Sequence, residues 1–107
     1  MAIHHAVSAE VLDVRPLGPR RKDAKTKVLV KTDTLEVIRI VLPAGKQLPP
    51  HRVDGEITVQ CLEGRISFDA DGTPHELAQG QMLYLAGGST HALRGLEDSS
   101  VLVTILL

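Results

Sequence analysis

The sequence reads as an all-β domain, folded as a jelly roll or small barrel. About ten short strand-like runs follow one another at close spacing, with turn residues between them. No stretch keeps helical periodicity over ten or more residues. The runs at 35–42 and 101–107 are apolar on both faces, whereas an open sheet would leave one face wet and its long edges exposed. One face of those strands fills a core. The other is expected to meet a second copy of the chain, so a homodimer is expected.

Residues 1–10 read as a loose N-terminal arm, with His4 and His5 as surface residues. Glu10-Val-Leu-Asp-Val-Arg15 reads as a short strand. Pro16-Leu-Gly-Pro19 ends it as a loop, because two prolines around a glycine cannot continue a ladder. Lys27–Thr32 and Leu35–Leu42 are β-branched runs on either side of the Asp33-Thr34 turn and could form a hairpin. Leu48-Pro-Pro50 forces an extended approach to His51, since proline keeps the residue before it out of the helical region. Ile57–Leu62 alternates, with Ile57, Val59 and Cys61 on one face and Thr58, Gln60 and Leu62 on the other. Glu63-Gly64 reads as a turn, Arg65–Ala70 as a strand and Asp71-Gly72 as a hairpin signal. The chain returns through Pro74–Leu77. Strands then follow at Met82–Leu85, His91–Arg94 and Val101–Leu107.

A chain of 107 residues is one domain, 1–107, long enough for a single core. With 43% hydrophobic and 23% charged residues and a net charge of −1, it is neither disordered nor surrounded by a field that gathers nucleic acid. The charge is uneven: residues 15–31 are basic, residues 54–100 acidic. The basic stretch reads first as a solvated loop and edge strand. A nucleic-acid partner is disfavoured because Phe68 and Tyr84 are the only aromatic residues, and base stacking needs such platforms. Cys61 is the single cysteine, which excludes an internal disulfide framework. No apolar run approaches the roughly 18 residues that span a bilayer. The first residues lack a basic segment followed by an apolar one. A soluble, cytoplasmic protein with no membrane partner is expected.

Gly45, five residues, then His51 forms one gapped pattern, closed by Gly64. Gly80, five residues, Ala86, one, Gly88, two, then His91 forms a second. In order and separation these resemble the two motifs of the cupin superfamily, across about residues 35–107. The resemblance implies a double-stranded β-helix, the cupin-type jelly-roll barrel. Family members with three His and one Glu hold a divalent metal (Fe, Mn, Ni or Zn) in the barrel and carry out dioxygenase- or isomerase-like chemistry. Of those four positions this chain keeps only His51 and His91; Val53 and Ile57 stand at the other two.

Two neutral imidazoles alone make a poor metal site. Cys61, on the Ile57 face, could add a thiolate, although a lone cysteine in a strand is first a small buried hydrophobe. Glu56 and Gln60 would reach that face only if a bulge near Gly55 reversed the strand's phase. His75 reads as a surface residue. No Gly-x-Ser-x-Gly elbow accompanies Ser89, Thr90 and His91, so a serine nucleophile is disfavoured.

The reading is thus a small-molecule-binding cupin with a pocket lined by His51, Val53, Ile57, Val59, Cys61, His91 and Leu93. Its cofactor is either none or a divalent metal (Zn, Ni, Fe or Mn) weakly held by His51 and His91. The alternative is a metal-dependent cupin enzyme acting on a small organic substrate, and whether the chain is an enzyme stays open.

Overall fold

A computed structural model describes residues 4–107. The first three residues of the expected N-terminal arm lie outside the described residues. The order is a short 3-10 helix at Gly18–Asp23, then β1 (Lys27–Lys31), β2 (Leu35–Leu42), β3 (Gln47–His51), β4 (Ile57–Glu63), β5 (Arg65–Ala70), β6 (Thr73–Ala78), β7 (Met82–Leu85), β8 (His91–Gly95) and β9 (Ser99–Leu106). No helix among the described residues is long and apolar enough to cross a membrane.

The strands form two antiparallel sheets. One is five-stranded, in the order β1-β2-β9-β4-β7, and the other four-stranded, in the order β3-β8-β5-β6. This is an all-β jelly roll. Its core lies between the sheets, where Leu42, Val59, Cys61, Ile66, Phe68 and Val101 are almost wholly excluded from solvent. The alternation of β4 places Ile57, Val59 and Cys61 inside and leaves Thr58 and Gln60 half-buried. The β4–β9 ladder shifts register between Cys61 and Glu63, not near Gly55, so Glu56 stays exposed and accepts the Tyr84 hydroxyl.

Two local expectations are corrected. Residues 10–15 form no strand. Val11 is 93% exposed, and the Asp13 carboxylate takes both the Arg15 backbone N–H and its guanidinium, so these groups are satisfied within the segment. The stretch after Leu17 is helical rather than loop, because Pro19 sits in the first turn, where its missing N–H costs nothing. Leu48-Pro-Pro50, read as an extended entry, is part of β3. That strand lies at the edge of its sheet, where prolines remove no needed ladder bond.

Candidate functional site

β3 and β8 set His51 opposite His91. The register shifts between Leu48 and His51, which lets the two prolines pass and still aligns the histidines. The ring centroids are 4.2 Å apart, edge to face at 61°. His51 is exposed at the edge, while His91 is only 6% exposed. The inner side of His91 stacks on Phe68, with centroids 5.6 Å apart and the planes 10° from parallel. Phe68 is itself fully buried, so the ring has a rigid backing.

Each imidazole is tied to the carbonyl two residues before it. Nδ1 of His51 lies 3.3 Å from the Pro49 oxygen, and Nδ1 of His91 lies 3.3 Å from the Ser89 oxygen. A carbonyl only accepts, so Nδ1 is the donor in both contacts, and in a neutral ring this leaves the lone pair on Nε2. Burial pushes the ionisation of His91 below the ordinary imidazole value. The Ser89 carbonyl opposes that shift, and the neighbouring His51 adds to it. His91 is therefore a neutral acceptor at pH 7.

The other residues expected at the site are apolar neighbours in the fold. Val53 is half-buried against the core, and its carbonyl accepts the Gly88 N–H at 2.9 Å, joining the loop before β4 to the loop before β8. Ile57, Val59, Cys61 and Leu93 belong to the buried cluster between the sheets. The Cys61 thiol donates to the Glu63 carbonyl at 3.3 Å, and burial pushes its ionisation up. It is held as a thiol and does not join the histidines. Among the described residues no group of three or more His, Cys, Asp or Glu side chains is placed to hold a metal. With hydrocarbon at positions 53 and 57, the donor set does not fit a resident four-ligand metal centre. His75 is exposed on β6, as expected.

A second polar cluster is not apparent from the sequence. Glu63, read there as a turn residue, is buried at the end of β4. Its carboxylate accepts the backbone N–H groups of Leu17 and Gly18 at 2.8 and 3.0 Å, the Arg21 guanidinium at 3.1 Å and the Ser100 hydroxyl. Burial alone would raise its ionisation. The bonds from Ser100, Leu17, Gly18 and Arg21 outweigh that cost and hold it below the usual glutamate value. The available signal was an acidic residue ending an apolar strand, with a basic, proline-bounded segment free to cover it.

Comparison with known proteins agrees with this architecture. The cupin domain family model matches residues 38–106, and the chain belongs to that family. An uncharacterised protein of Methanocaldococcus jannaschii is 33% identical over 69 residues, 61% of this chain and 60% of that protein. The matched region thus spans less than two thirds of that relative. A conserved protein of unknown function from Streptococcus pyogenes superposes with a TM-score of 0.78 at 23% identity, covering 99% of this chain and 94% of the other. An RmlC-like cupin from Desulfovibrio desulfuricans gives 0.75 at 25% identity, covering 91% and 97%.

Proposed function

We propose that this chain is a small-molecule-binding cupin. Its His51–His91 pair forms the polar end of a ligand site at the barrel mouth, and Val53, Ile57, Val59 and Leu93 supply the apolar surroundings. The observation that carries this reading is the pair itself: two rings 4.2 Å apart, each anchored through Nδ1 to a backbone carbonyl. Two neutral imidazoles at that separation can each accept a hydrogen bond from a hydroxyl or amine. Such a pair with apolar walls suits a small amphipathic molecule. A metal-dependent enzyme would need further donors, and positions 53 and 57 carry none.

The reading includes a homodimer in the cytoplasm. The outward side of the five-stranded sheet supports the dimer, because Met82, Tyr84 and Leu106 are 62%, 60% and 47% exposed there.

Ligand-observed NMR with small alcohols, amines and phenols tests the site, alongside calorimetric titration with Zn, Ni, Mn and Fe salts. The expected result is a set of hydroxyl- or amine-bearing hits that His51→Ala abolishes, with only weak metal uptake. Stoichiometric, tight metal binding lost in His51→Ala would replace this reading with the enzymatic one. Hits unchanged in His51→Ala would refute the site.

A further inference from the structure

At the other end of β8, away from His91, lies a cleft of about 580 Å³. It opens between the segment 21–26, the end of β2 and the loop leading into β3. That volume lies within the range of small-molecule sites, roughly 300–1,000 Å³. Its charged lining is Arg21, Lys22, Lys25, Lys46 and a single acid, Asp98.

These charges do not cancel. Arg21 is shared between Glu63 at 3.1 Å and Asp98 at 3.5 Å, so both local carboxylates are spent on one guanidinium. Asp98 also accepts the Ala44 N–H at 2.9 Å. Lys22, Lys25 and Lys46 have no ion-pair partner among the described residues. Three lysines therefore line one cavity without an ion-pair partner among the described residues. The Thr26 hydroxyl oxygen accepts the Val41 N–H at 3.0 Å, which leaves its own hydrogen free to donate. Val41 and Pro43 supply an apolar wall.

We propose that this cleft binds a small anion bearing at least two negative charges, of the phosphate or phosphate-ester class, between Lys22, Lys25 and Lys46. The site is separate from the histidine pair and stands whether or not that pair binds a ligand. Flexible lysines act as point charges on a phosphate, and a fixed hydroxyl adds direction. Glu63 anchors one wall through Arg21, so the cleft is built before the anion arrives. A nucleic-acid strand would also seek cations, but no aromatic residue lines the cleft to stack a base.

The test is a ¹H–¹⁵N titration of the full chain at constant ionic strength. The probes are inorganic phosphate, pyrophosphate, sodium chloride and a short single-stranded oligonucleotide. Phosphate and pyrophosphate should give saturable shifts at Ala24, Thr26 and Lys46, with pyrophosphate the tighter. Their affinity should fall about tenfold or more in Lys22→Ala/Lys25→Ala/Lys46→Ala, all surface changes. Lys31→Ala, on β1 and paired with Glu36 of β2, should leave it unchanged. Equal shifts with chloride, or phosphate binding retained in the triple variant, would overturn the proposal. Saturation by the oligonucleotide without phosphate binding would also overturn it, in favour of a nucleic-acid surface.

Discussion

Arg21 donates through Nη1 to Oε1 of Glu63 at 3.1 Å, across 42 positions of sequence. With the Leu17 and Gly18 amides on the same carboxylate, this contact pins the 3-10 segment to the end of β4. Glu63→Ala leaves those donors without their acceptor. It should cost about 2–4 kcal/mol, with Glu63→Gln losing roughly half as much because an amide oxygen still accepts. Urea unfolding measures the cost, and hydrogen exchange at Leu17 and Gly18 should quicken first. Unchanged exchange at those amides would show that the carboxylate is not the pin.

The same carboxylate makes stability depend on pH. Unfolded, the glutamate ionises near its ordinary 4.5; folded, it ionises lower. Between the two values the unfolded chain holds a proton that the folded chain does not. Its contribution is complete above 4.5 and is lost as pH falls through the folded value. The urea midpoint should therefore drop below pH 4.5 more steeply in the wild type than in Glu63→Gln. Parallel curves would remove Glu63 from the account.

How much of this was legible in the sequence depended on whether the cause was local. Leu35–Leu42, Arg65–Ala70 and Met82–Leu85 are strands to the residue, because short runs rich in apolar residues and their flanking turns act over neighbours. His51 and His91 were locatable because motif spacing places them, although their cross-strand pairing is a product of the ladder. Glu63 was misread because what buries it comes from Leu17, Gly18, Arg21 and Ser100, none of them adjacent in sequence. Glu10–Arg15 carried a strand's composition and found no strand to pair with.

Gly64 and Gly45 have nearly the same backbone, with φ of +79° and +83°, but different surroundings. A Cβ at Gly64 would lie 2.4 Å from the Asp98 carbonyl oxygen, whereas at Gly45 it would meet nothing within 4 Å. Gly45→Ala should cost about 1–2 kcal/mol from left-handed strain alone. Gly64→Ala should cost at least twice that in thermal or urea unfolding. Equal costs would mean that the Gly64–Asp98 approach relaxes freely.

The exposed Met82 and Leu106 give the dimer proposal its handle. Light scattering coupled to size exclusion at micromolar concentration should report a dimer for the wild type. Met82→Lys/Leu106→Lys should report a folded monomer, since both side chains already face solvent. A monomeric wild type would end the proposal.

The histidine pair carries the functional reading, and its protonation can be observed directly. Long-range ¹H–¹⁵N spectra of histidine-labelled protein near pH 7.5 identify the nitrogen that bears hydrogen in each ring. Both rings should carry it on Nδ1, with His91 gaining its second proton only below the ordinary value of 6.5. Hydrogen on Nε2 of either ring, or a His91 titration at or above 6.5, would contradict two neutral imidazoles that each accept from a ligand.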